Sequence, residues 1–130
     1  MPTELFQRGL RLLLEKDMDG FVDLFAADCT VEFPFAEGES PKRLTGREAL
    51  RAYLDGYPDR LDITGFPSVE VHRTTDPAMI VAEFTAHGRT VRTGAGYEMR
   101  YVVVLTARDG EIQSYRDYWS PVMAARAVGE

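Results

Sequence analysis

The residue pattern in this chain best suited to chemistry is Tyr115-Arg116-Asp117-Tyr118-Trp119. On a β-strand successive side chains alternate faces, so Tyr115, Asp117 and Trp119 share one face. A carboxyl enclosed between two large aromatics is desolvated, and desolvation raises its pKa from an ordinary value of about 3.9. That would make Asp117 a general acid or base. The spacing is equally compatible with a solvated face on which Asp117 pairs with a nearby arginine. Arg116 itself points the other way.

Four tyrosines, Tyr53, Tyr97, Tyr101 and Tyr115, fall on otherwise apolar faces of predicted elements. Each hydroxyl either packs as a satisfied core group or serves as a donor; beside a carboxylate, such donors form an acid–base set facing a planar ligand. Glu83, Glu98 and Arg100 lie on the opposite strand faces and are expected at the surface or in a dimer interface.

Other chemistries have less to stand on. No phosphate-binding P-loop or serine nucleophile elbow occurs. Thr93-Gly94-Ala95-Gly96 precedes a strand and reads as a turn. His72 and His87 lack metal-site spacing and read as surface or interface histidines. Cys29 is the only cysteine, which rules out an intrachain disulfide and a thiolate cluster, and it reads as a buried structural thiol.

The elements that must position these groups follow from periodicity. Phe6, Leu10, Leu13 and Leu14 form the stripe of one helix. Met18, Phe21, Val22 and Phe25 form a second, with Asp17 as its cap. Thr30 to Phe35 reads as a short edge strand ending near Pro34. Thr45-Gly46-Arg47-Glu48 matches a capping box, and Ala49, Leu50, Tyr53, Leu54 and Tyr57 give a third helix stopped by Pro58. From Leu61 the period changes to two. Strands are predicted over Val69–Arg73, Met79–His87 (Ile80, Ala82, Phe84 and Ala86 on one face) and Tyr97–Ala107. A hairpin turn at Arg108-Asp109-Gly110 leads into the Asp117 strand. Helices followed by antiparallel strands give an α+β order, and a curved sheet over three helices leaves a pocket between them.

The chain has 130 residues, enough for one domain (1–130) with one core, and 45% of them are hydrophobic. A formal net charge of −6 and a pI near 4.9 argue against a nucleic-acid surface. No basic amphipathic helix or long apolar run suggests a membrane partner, and no signal-peptide pattern opens the chain. A cytoplasmic protein is expected.

Asp17–Val31, Leu44–Leu50 and Gly110-Glu111-Ile112, in this order, resemble the SnoaL-like branch of the nuclear transport factor 2-like superfamily. The resemblance implies a cone-shaped α+β barrel, usually dimeric, with a pocket between a curved, mostly antiparallel sheet and the helices. Ketosteroid isomerases of this fold place an aspartate just before the proline matching Pro34, where this chain has Phe33; Gly9 stands at their helix-1 tyrosine. The polyketide cyclases carry a base aspartate in the last strand, a position that Asp117 matches, with Tyr115 where they have histidine. The Asp-Arg-Asp triad of limonene-epoxide hydrolases has no counterpart. Gly46–Asp59, Thr75-Asp76-Pro77, Gly96-Tyr97-Glu98 and Arg116–Pro121 are similar to phenazine-biosynthesis A/B proteins. Their last-strand acid, normally glutamate, corresponds to Asp117, and their helix-3 histidine to Tyr53. Aspartate is one methylene shorter, withdrawing the carboxylate by roughly 1 Å.

The expectation is therefore an acid–base enzyme of the cyclase, isomerase or condensation type, acting on a small planar apolar intermediate. It would need neither cofactor nor metal. Asp117 and Tyr53 would be catalytic, with Tyr115, Trp119, Tyr97, Tyr101, Phe33 and Phe84 around the ligand. A homodimer is expected. A non-catalytic ligand-binding or interaction module of the same fold is the alternative.

Overall fold

The structure, a computed structural model, describes residues 2–123. Helix α1 (Pro2–Leu14) buries Leu5, Phe6 and Leu10. Leu14, expected on the same stripe, is 39% exposed at the end of the last turn. Helix α2 (Met18–Val22) begins where Asp17 accepts a 2.8 Å hydrogen bond from the Gly20 amide, as the sequence suggested. It stops short of Phe25. The backbone there is taken by the sheet: the Ile112 amide donates to the Leu24 carbonyl at 2.8 Å, and Phe25 pairs with Ile112. A ladder to a distant strand thus overrides the local helical spacing.

Strand β1 (Phe25–Glu32) is interior rather than an edge. The expected polar loop after it ends in a short strand, β2 (Arg43–Thr45), which covers β1 on its open side. Thr45 consequently pairs with Thr30 and does not cap the next helix. Gly46 takes the N-cap of α3 (Arg47–Leu54) with no side-chain cap bond. Helix α3 also ends three residues before Tyr57. Gly56 turns the chain with φ 76°, and Pro58 opens a separate four-residue helix, α4 (Tyr57–Arg60). Proline suits a first turn, where its missing N–H would have been unpaired anyway.

The remaining strands are β3 (Leu61–Arg73), β4 (Met79–Thr90), β5 (Gly96–Arg108) and β6 (Glu111–Trp119). The sheet order is β2-β1-β6-β5-β4-β3, antiparallel except for the β1–β6 pair. The result is a curved α+β cone whose sheet does not close, matching the predicted fold class, with the short helix α4 and the edge strand β2 added to the expected elements. On its concave face the register builds three rows: Trp119–Tyr101–Phe84, Asp117–Val103–Ala82, and Tyr115–Leu105–Ile80.

Two features bend and fasten this layer. Strand β3 slips register against β4 between Ile63 and Gly65, and again between Gly65 and Ser68, which kinks its edge over the helices. Lys16, at the α1–α2 turn, donates to the Ile63 carbonyl at 2.8 Å and pairs with Asp62 at 3.0 Å. On the other flank Arg51 of α3 reaches Asp19 and Asp23, at 2.5 and 3.1 Å.

The kink requires close backbone approach at Gly88. A Cβ there would lie 2.1 Å from the Asp62 carbonyl oxygen, a contact that backbone alone must relieve. Gly88→Ala should therefore lower unfolding free energy by about 2 kcal/mol or more, measured by urea denaturation. Gly65→Ala, with open space around its Cβ, is the control and should change stability far less.

Candidate active site

The concavity holds a cavity of about 730 Å³. All eight residues singled out from sequence line it: Phe33, Tyr53, Phe84, Tyr97, Tyr101, Tyr115, Asp117 and Trp119. They come from β4, β5, β6, α3 and the turn after β1. Alternation delivers the strand residues, and the α3 anchoring by Arg51 delivers Tyr53. Two aromatic groups form the walls. Phe33 lies against Tyr53 and Trp119, with ring centroids 5.1 Å apart in each pair. Phe84 stacks on Tyr101 at 5.1 Å and 20°.

Asp117 lies in the inner part of this space. Its row neighbours Val103 and Ala82 are fully buried, and the lining continues past it to Tyr115, Val31 and Phe25. Asp117 retains some exposure as a residue, toward the cavity, while its Oδ1 is sealed from solvent and has no hydrogen-bond partner. Burial alone raises its pKa, to about 7, and no neighbouring cation offsets it. The solvated, arginine-paired alternative is thereby excluded: Asp117 makes no ion pair among the described residues.

The tyrosine hydroxyls around it all remain protonated. Tyr97 and Tyr101, four residues apart on β5, share a 2.5 Å hydrogen bond. When one hydroxyl donates to the other, the acceptor's own proton is left free to bond a ligand oxygen. Burial first, then other influences including the Asp117 charge, pushes the Tyr53, Tyr97, Tyr101 and Tyr115 hydroxyls upward. Tyr57 behaves likewise, its pKa raised by burial and by the neighbouring Tyr97 and Asp117. Sequence spacing placed Tyr57 on the packing face of the third helix; instead it lines the cavity from α4. The Gly56-Tyr57-Pro58 triplet was the available signal, since glycine and proline together mark a break and not a continuing helix.

Outside the cavity the histidines behave as surface groups. His87 bonds Glu98 at 2.6 Å and His72 bonds Glu83 at 2.7 Å, on the convex face. Glu70 joins the second pair, bringing three potential ligand atoms within 4.8 Å of one another, a grouping that histidine spacing alone did not reveal. All three side chains are solvent-accessible, and the short His72–Glu83 bond accounts for their arrangement. Cys29 is fully buried and burial raises its thiol pKa, which keeps it inert. Among the described residues no helix is long and apolar enough to cross a membrane.

This chain is similar to known proteins along nearly its whole length. The pattern of the SnoaL-like domain matches residues 6–115. An uncharacterised PhzA/B-like protein of Pseudomonas aeruginosa is 35% identical over 126 residues, covering 97% of this chain and 89% of that protein. A crystal structure from Bacillus subtilis, provisionally designated an isomerase, superposes with a TM-score of 0.95 at 35% identity, covering 98% of this chain and 92% of that one. A Xanthomonas campestris structure, provisionally designated a polyketide cyclase, shares the fold with a TM-score of 0.81 at 21% identity over 98% and 96% of the two chains.

The Asp117 environment sets a pH dependence with a definite sign. The folded pKa near 7 lies above the ordinary 3.8, so between these values the native state holds a proton that the unfolded chain has released. Stability therefore falls as pH rises from about 4 to about 7 and levels off above that. Asp117→Asn removes the ionisation. It should be the more stable protein at pH 8 by on the order of 2–4 kcal/mol, with the gap vanishing near pH 4, in urea unfolding across that range.

Proposed function

The chain belongs to the SnoaL-like domain family, and from that membership we propose that it is a cofactor-independent acid–base enzyme. Its substrate would be a small, flat, mostly apolar molecule carrying a carbonyl, and its reaction an isomerisation or cyclisation. One observation carries the reading: an unpartnered carboxyl in the lining of an aromatic cavity, beside hydroxyl donors. Evolution of a fold for stability alone disfavours that arrangement, because a buried, unsatisfied polar group costs free energy. The isomerase and cyclase designations of structurally similar proteins point the same way.

The chemistry follows from the placement. Asp117 in its carboxylate form removes a proton from the carbon next to the carbonyl, and the C–H electron pair delocalises onto the carbonyl oxygen. The free proton of the Tyr97–Tyr101 pair donates to that oxygen as negative charge develops there. The proton now on Asp117 returns to a different carbon in an isomerisation. In a cyclisation the enolate carbon instead attacks a second carbonyl, and the proton goes to the new alkoxide. A pKa near 7 suits both halves of this cycle, since the group must release and accept a proton at neutral pH. Tyr53, adjoining Asp117 from the α3 side, is the second candidate donor. Phe33, Trp119, Phe84 and Tyr115 provide the flat apolar surfaces.

Tyrosine at both expected histidine positions, 53 and 115, favours the other reading, a binding module without turnover. Exchange of α-protons into D2O, followed by NMR on a panel of bicyclic and tricyclic aryl ketones, separates the two. The enzyme should accelerate exchange with an apparent pKa near 7. Asp117→Asn should reduce the rate to buffer background, and Tyr101→Phe should lower kcat by roughly 10- to 100-fold. Ketones that bind without any Asp117-dependent exchange would instead establish the binding module.

The convex face of the sheet suits association with a second copy. Val81, Val104 and Val102 form an apolar centre flanked by the charged Glu83 and Arg116. Sedimentation equilibrium should then give twice the 14.6 kDa chain mass, and Val102→Glu should return it to that of one chain.

A further inference from the structure

The cavity is chemically two-ended. At the inner end Asp117 and the tyrosine hydroxyls are the polar groups, and no cation balances the carboxyl. A ligand anion driven to that end would be desolvated next to a like charge, an expensive position. At the other end the cavity lining contains two cations, Arg60 and Arg92, both exposed. The fold places them on one rim. Leu61 at the start of β3 pairs with Thr90 at the end of β4, and the Val91 amide donates to the Arg60 carbonyl at 3.0 Å. The Arg60 guanidinium lies over Gly56, and its charge is felt at the hydroxyls of Tyr53 and Tyr57, so it is turned toward the cavity and not away from it. Arg60 makes no ion pair among the described residues.

We propose that the ligand is an amphiphilic aromatic acid, whose carboxylate is held at the rim by Arg60 and Arg92 while its neutral, carbonyl-bearing end reaches Asp117. The proposal rests on the flat-ligand reading of the cavity and adds the ligand's charge and its orientation. Planar guanidinium forks match a carboxylate geometrically. Asp59 and Glu37 also reach the lining and oppose the attraction, which keeps the expected gain modest. An acid so anchored leaves its far end uncharged, as the desolvated inner end requires.

Two fluorescent probes of equal shape test this: 2-anthracenecarboxylate and 2-anthracenecarboxamide, titrated at pH 8. The carboxylate should bind wild type about tenfold more tightly than the amide, and raising salt from about 50 to about 500 mM should narrow the gap. The double variant Arg60→Gln/Arg92→Gln should lose the preference while holding the amide's Kd within about twofold. Arg60→Gln alone should lose part of it. Equal affinity of wild type for both probes, or a preference that survives the double variant, overturns the charge assignment and leaves the flat-ligand cavity standing. Failure of both probes to bind wild type would overturn the cavity reading and this inference together.

Discussion

Three strands of 12 or 13 residues cannot be roofed by the helices this chain supplies. At roughly 3.3 Å per residue, β3 and β5 extend about 40 Å, whereas the 13-residue α1 at 1.5 Å per residue reaches about 20 Å. Apolar concave surface beyond the helices must be covered by curling the sheet on itself. The register slips in β3 and the bare backbone at Gly88 permit that curl. The mismatch in length leaves a space that side chains line without filling. The aromatic rows then serve as walls because they are the largest residues on a surface with nothing opposite them. The cavity is thus a consequence of element lengths before it is a matter of specific residues.

Within that space the positions of small and large side chains decide where chemistry can occur. The Asp117–Val103–Ala82 row is low, between an aromatic row and a second row containing Tyr115, Leu105 and Ile80. A carboxyl there is enclosed on both sides yet faces no cation. The same enclosure that costs the fold stability gives the acid its near-neutral pKa. The fold carries that cost through contacts elsewhere, notably the buried cluster of Phe25, Val31, Val103, Leu105 and Ile112 beneath the helices.

Much of this was legible in the sequence because strand alternation is a strict rule. It put Tyr97, Tyr101, Asp117 and Trp119 on one face, and the structure gathers them in one cavity. The burial of Asp117 was not legible: alternation assigns a face but not what covers it, and a solvated acid reads identically. Errors clustered where partners distant in sequence compete with local pattern. Phe25 fits a helical stripe but pairs with Ile112, and Thr45 fits a capping box but pairs with Thr30. Tyr57 departs from its helical spacing for a local reason, because Gly56 breaks the helix before Tyr57 is reached. Arg60 and Arg92 lie 32 positions apart and meet on one rim only through the β3–β4 ladder, which no spacing rule anticipates.

Strand β6, which carries Asp117, is the last strand among the described residues and yet lies in the middle of the sheet, parallel to β1 and antiparallel to β5. A growing chain on the ribosome can form the β3–β4–β5 meander early, from neighbouring hairpins. It cannot join β1 to that meander until β6 has emerged and slotted between them. The strand that carries Asp117 is therefore also the keystone of assembly, and before its arrival both β1 and β5 present bare edges capable of pairing with other chains. Closing so long a loop late slows folding and keeps those edges open to aggregation until β6 docks.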